Sequence, residues 1–225
     1  MIIAEISNCH FGDFAKAKEL IRLAHLSGAD LIKGQAFLAK DIISGSMPQK
    51  FYEACAFTPE QYVELIDYAR SIGNDLFFSI FSSGFEAVAS HQSWHKVAAI
   101  QTRNGQASVE KDQENYFVSV PTSMSAPLHR FKRASVMHVS EYMTSEPQLW
   151  HIQTLADYLG RPVGYSDHTT GTRACVFAQQ LWGAHVIEKH FCLTANESFD
   201  GIVYRDTQHG LTPKQFERLA RELSK

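Results

Sequence analysis

Two histidines each follow a polar residue at a spacing of two, in Ser166-x-His168 and Glu188-x-His190. Side chains two apart on a β-strand face the same way, so each pair can point into one site together. Two imidazoles on neighbouring strands can share a divalent cation and leave positions open for water and substrate. The alternative is a pair of core histidines hydrogen-bonded to backbone. The run Val186-Ile187-Glu188-Lys189-His190-Phe191 is otherwise apolar, and charges there cost several kcal/mol to desolvate unless paired or ligated. Lys33, two residues before Gln35, and Lys96 offer a second chemistry. With the Ser166 hydroxyl, two ammonium groups make a cradle for a phosphate and a carboxylate, unless they end surface strands and snorkel to water. Glu5, Asn8 and His10 add polar groups after the first apolar run.

Something must bring these residues together. Strand patterns recur at residues 2–7, 30–36, 75–81, 95–101, 116–120, 135–140, 163–166 and 185–190. Helical patterns lie between them, at 14–26, from the Thr58-Pro59-Glu60-Gln61 start signal, at 146–158, at 172–182 and at 212–223. Eight strands alternating with helices predict an α/β fold, a (β/α)8 TIM barrel, built as one domain over residues 1–225. The candidate residues then fall at the C-terminal ends of the strands, where such barrels collect their chemistry. An open doubly wound sheet is the alternative, but neither GxGxxG nor a P-loop follows the first strand. Helices after strands four and five are expected to be stunted or replaced by loops.

The 24 acidic and 21 basic side chains give a net charge of −3, which argues against general affinity for nucleic acid. No apolar run approaches the ~20 residues needed to span a bilayer, and Met1-Ile2-Ile3-Ala4-Glu5 does not read as a signal peptide. Cys9, Cys55, Cys175 and Cys192 are scattered, so free thiols in a reducing cytoplasm are expected. His129-Arg130-Phe131-Lys132-Arg133 reads as a solvated turn.

Tyr165-Ser166-Asp167-His168-Thr169 and Val186-Ile187-Glu188-Lys189-His190-Phe191 resemble the sialic acid synthase (N-acetylneuraminate synthase) family. The resemblance continues at Ile3-Ala4-Glu5-Ile6-Ser7-Asn8, at Leu31-Ile32-Lys33-Gly34-Gln35, and at Asp206 before Leu211-Thr212-Pro213. It implies condensation of phosphoenolpyruvate with an open-chain N-acetyl-amino sugar, giving a nonulosonic keto acid and phosphate. His168 and His190 would hold a divalent metal, Mn2+ with Mg2+ or Co2+ as alternatives, which would polarise the sugar aldehyde. By the same resemblance Lys33, Lys96 and Ser166 would grip phosphoenolpyruvate, with Tyr142 at its phosphate end. Glu5, Gln35, Glu188 and Asp206 would surround the sugar and the reacting centre. A homodimer is implied as well.

The departures are specific. Ser79-Ile80-Phe81-Ser82 lacks the family's phosphate-contacting threonine, and Lys96-Val97-Ala98-Ala99 ends in alanine where a serine is usual. Glu141 stands where an asparagine is expected. The family's C-terminal antifreeze-like domain, whose arginine closes the sugar site of a partner subunit, is expected to be missing. Either the sugar is then bound weakly, or a separate chain or a local arginine takes the domain's place, Arg205 in preference to Arg103. Two other readings stay open: an aldolase-type metal enzyme with a rebuilt donor site, and a non-catalytic barrel partner subunit.

Overall fold

The structure, a computed structural model, describes residues 1–42, 46–99, 101, 113–122, 128, 131–140 and 146–225. Eight parallel strands form one sheet: β1 (Ile2–Ser7), β2 (Leu31–Ala36), β3 (Asp75–Ile80), β4 (His95–Val97), β5 (Tyr116–Pro121), β6 (Ser135–Val139), β7 (Gly164–Asp167) and β8 (Ile187–His190). Their order is β3-β2-β1-β8-β7-β6-β5-β4, and the sheet curls into a nearly closed barrel as the alternating pattern predicts. The eighth junction is not a ladder. There β3 and β4 lie side by side, and two glutamine side chains substitute for backbone pairing. Gln92 accepts from the Phe78 N–H at 3.0 Å and donates to the Phe78 carbonyl at 3.2 Å. Gln101 accepts from the Ala98 N–H at 2.9 Å and donates to the Ile80 carbonyl at 2.7 Å.

The helices follow their caps. In α1 (Phe14–Leu26), Asp13 accepts from the Lys16 N–H, and Ala17, Leu20, Ile21 and Ala24 bury one face; Gly28 at φ 89° ends the turn. Sequence reasoning overlooked α2 (Gln49–Cys55). In α3 (Pro59–Ser71), Thr58 and Gln61 complete the expected capping box. After the unexpected α4 (Glu86–His91) come α5 (Trp150–Leu159), α6 (Arg173–Gln180), the five-residue α7 (Arg205–His209) and α8 (Pro213–Leu223). The segments after β4 and β5 lie largely outside the described residues. No helix among the described residues is long and apolar enough to cross a membrane.

Inside the barrel the side chains form layers. Ile3, Leu31, Phe77, Phe117, Met137 and Val186 build an apolar floor. Gly164 faces this floor without a side chain, because a Cβ there would meet Val186 O at 3.0 Å and Met137 Cγ at 3.1 Å. One residue further along each strand the chain faces the helices, and one charged pair is buried there too. Lys189 Nζ meets Asp167 Oδ2 at 2.7 Å with both side chains fully buried. Tyr165 and Thr169 hydroxyls donate to the same carboxylate. On the outside of β6, His138 faces His151 with their Nδ1 atoms 3.2 Å apart.

Two outcomes are expected. Lys189→Met strands a buried carboxylate and should destabilise the chain by about 3–5 kcal/mol in urea unfolding; Lys189→Met with Asp167→Leu should recover much of that loss. Burial pushes His10 down to about 3 and His138 down to about 4, so both rings stay neutral in the folded chain while the unfolded chain takes up protons near pH 6.5. Their contribution is complete above about pH 6.5 and drains away as pH falls toward those lowered values. Between about pH 7 and about pH 5 each ring should cost on the order of 2 kcal/mol of stability, and His138→Gln should remove part of that drop.

Candidate active site

Above the apolar floor the barrel mouth opens into a cavity of about 640 Å³, solvent-open space included. Its lining includes Glu5, Lys33, Gln35, Lys96, Ser166, His168, Glu188 and His190. Eight residues expected from sequence thus meet in one place. Strand register explains the meeting: Glu5 stands beside both Lys33 and His190, and Ser166 beside Glu188.

Four of these groups are charged and buried. Lys33 Nζ pairs with Glu5 Oε2, whose other oxygen accepts the Ser7 N–H at 2.7 Å. Lys96 Nζ meets Glu188 Oε1 at 2.5 Å, and the Ser166 hydroxyl donates to the same oxygen at 2.8 Å. Since β4 and β8 are opposite in the barrel order, the Lys96–Glu188 pair braces the interior from side to side. Burial pulls Lys33 down to about 7, against the carboxylate of Glu188, and burial lowers Lys96 too. Burial alone would raise Glu188, but Lys33 and Lys96 overcome it and hold the carboxyl well below its usual range. The lysines therefore face the cavity already neutralised, which the anion cradle read from sequence did not include.

A bulge re-aims the end of β1. Pairing with β2 shifts between Glu5 and Ser7, and Ser7 takes a positive φ of 46°. Its hydroxyl thereby reaches Asp206 Oδ2 at 2.5 Å and the Tyr204 hydroxyl at 2.8 Å, while Tyr204 donates to Asp206 at 2.7 Å. Asn8 donates to Gln35 Oε1 at 3.3 Å. Phe51 of α2 packs on Tyr204 and on Phe199 of a small hairpin, Ser198–Phe199 with Ile202–Val203. Asp206 sits behind the cavity, its Oδ2 3.8 Å from His190 Nδ1. Arg205 is exposed and does not line the cavity, because helical neighbours point about 100° apart and Asp206 takes the inward direction. Tyr142, Glu141 and Arg103 lie outside the described residues.

His168 and His190 approach with ring centroids 5.1 Å apart. His168 Nδ1 sits 3.0 Å from the Ser140 carbonyl; donation to that oxygen makes Nε2 the basic nitrogen, as ligand histidines require. Burial lowers both rings, His190 well below its usual value, so both are neutral and can act as ligands. A third ring, His209 at the end of α7, joins them and was not singled out from sequence. It lies nineteen residues beyond His190, and only its histidine identity could have flagged it. Among the described residues, two buried oxygens of cavity-lining side chains make no hydrogen bond: Ser79 Oγ and Glu188 Oε2. Such atoms are costly unless a ligand meets them, so the donor set fits a cation at the histidines and a polar substrate beside it.

The NeuB family model matches residues 130–225, the stretch that carries Ser166, His168, Glu188, His190 and Asp206. That match takes in the C-terminal part of the chain alone. The chain is 31% identical over 215 residues to an uncharacterised protein of Methanocaldococcus jannaschii, covering 87% of itself and 63% of that relative. It is 27% identical over 261 residues to the N,N'-diacetyllegionaminic acid synthase of Campylobacter jejuni, covering 99% of itself and 75% of that enzyme. It thus spans roughly two thirds to three quarters of the length of these relatives. In fold it matches a sialic acid synthetase of Leptospira borgpetersenii, solved in complex with citrate, with a TM-score of 0.85 and 23% identity over 99% of this chain and 82% of that one.

If the two carboxylates set the potential at the lysines, Glu188→Gln should bind inorganic phosphate about tenfold more tightly than the wild type in calorimetry, a change of about 1.4 kcal/mol that removal of one adjacent charge readily supplies. Unchanged affinity would mean that Glu188 does not govern the cradle.

Proposed function

We propose that this chain condenses phosphoenolpyruvate with an open-chain N-acetyl-amino sugar to give a nonulosonic keto acid and phosphate. The observation that carries the reading is the convergence of two lysines and Ser166 with His168 and His190 in one cavity, beside two oxygens that no described residue bonds, Ser79 Oγ and Glu188 Oε2. Lys33, Lys96 and Ser166 receive the phosphate and carboxylate of phosphoenolpyruvate, exchanging part of their pairing with Glu5 and Glu188 for the substrate's anions. His168 and His190 would hold a divalent cation, Mn2+ by the family resemblance, and when bound it would supply Lewis acidity toward the aldehyde oxygen. Carbon 3 of phosphoenolpyruvate forms the new bond to the aldehyde carbon. Water adds to carbon 2, and the bond from carbon 2 to the phosphate oxygen breaks to leave the keto acid.

The chain's own groups suit the proton steps. Glu188 stays ionised, and its Oε2 accepts no hydrogen bond from the described residues; it can orient the incoming water by accepting a hydrogen bond from it. Lys33, with a value near 7, can hold or release a proton near neutrality. Glu5 and Gln35 orient the sugar from the β1–β2 side, and Asp206 sets the position of His190 from behind.

Phosphate release from phosphoenolpyruvate should be measured with Mn2+ and a panel of N-acetyl-amino sugars. Release that depends on both the sugar and the metal supports the reading, and Lys33→Ala should weaken phosphoenolpyruvate about 100-fold. Metal binding without release for any sugar would return the alternative of a rebuilt donor site.

A further inference from the structure

The ligand nitrogens of His168, His190 and His209 all lie within 4.8 Å of one another. The His209 ring centroid is 4.6 Å from that of His190 and 5.5 Å from that of His168. His190 and His209 are buried. We propose that His209 is a third ligand, making a three-imidazole site that takes a nitrogen-accepting cation such as Co2+ or Zn2+ in preference to Mg2+. This deepens the metal reading above and rests on it.

The backbone holds His209 in place. Leu211 N–H donates to the His190 carbonyl at 2.8 Å, and Cys192 N–H donates to the Leu211 carbonyl at 3.0 Å. The residues after His209 are thus stitched to the end of the strand that carries His190. Gly210 permits this approach: a Cβ there would meet Asp206 O at 2.7 Å and Cys192 Sγ at 3.1 Å. A ligand that reaches the site on a pinned turn needs little ordering when the cation arrives. The donor chemistry also selects. Three neutral imidazoles suit Zn2+, Co2+ and similar ions, whereas Mg2+ favours oxygen ligands and retains its waters. The carboxylates supply charge from farther out: Asp206 Oδ2 is already held by two hydroxyls, and Glu188 Oε1 by Lys96 and Ser166.

Co2+ binding to the full chain can be followed by its visible absorption and by competition with a chelator, for wild type, His190→Ala and His209→Ala. Wild type should bind Co2+ with Mg2+ unable to displace it. His209→Ala should lose at least about 100-fold in affinity, the upper end of what removing even a hydrogen-bonding partner of a ligand costs, and its absorption bands should change. Where thermal unfolding shows His209→Ala to be unfolded, His209→Gln, which keeps the bulk, gives the same readout. Wild-type affinity and spectrum in the His209 variant, with binding lost in His190→Ala, would overturn the third ligand and leave the two-histidine reading intact. Wild type that binds no Co2+ would overturn both, and displacement by equimolar Mg2+ would overturn the preference.

Discussion

The molecule is organised around one costly arrangement: two lysines and two glutamates buried together above an apolar floor. Each charge taken out of water costs several kcal/mol, and only mutual pairing makes four of them tolerable. The register of β1 on β2 puts Glu5 against Lys33, and the width of the barrel lets Lys96 reach Glu188 from the opposite strand. The barrel must hold its shape for these pairs to persist. Conversely, the pairs hold the barrel from within, which matters most beside the junction that has no ladder.

The same strands serve two separate electrostatic designs. Inside, Ser166 faces Glu188; one residue on, Asp167 faces Lys189 toward the helices. The inner group is left with an unsatisfied oxygen, whereas every donor around Asp167 is committed. One face is therefore chemically open and the other is structural. A two-residue period separates them without any change of strand.

That period is why much of the molecule could be read in advance. Apolar runs with polar residues at alternate positions set the strand positions, and the inward set Glu5, Lys33, Gln35, Lys96, Ser166, His168, Glu188 and His190 follows from them. What escaped has a different origin. The pairing of Lys96 with Glu188 depends on barrel geometry, because strands 92 residues apart in sequence are opposed only once the sheet curls. His209 belongs to a five-residue helix with no strand pattern to assign its direction, and Tyr204 and Ser7 reach Asp206 through a bulge and a positive φ. Gln92 lies outside the expected strands and Gln101 stands at the end of the fourth, and nothing local distinguishes a glutamine that replaces a ladder from any other.

Those two glutamines have a consequence beyond closing the cylinder. A sheet with a missing ladder has two edges, and bare edges invite strands from other molecules to dock and start aggregates. At this slit the Phe78 amide and carbonyl, the Ile80 carbonyl and the Ala98 amide are already occupied by side-chain amides of the same chain. A foreign strand would have to evict Gln92 and Gln101 before it could pair with these four groups.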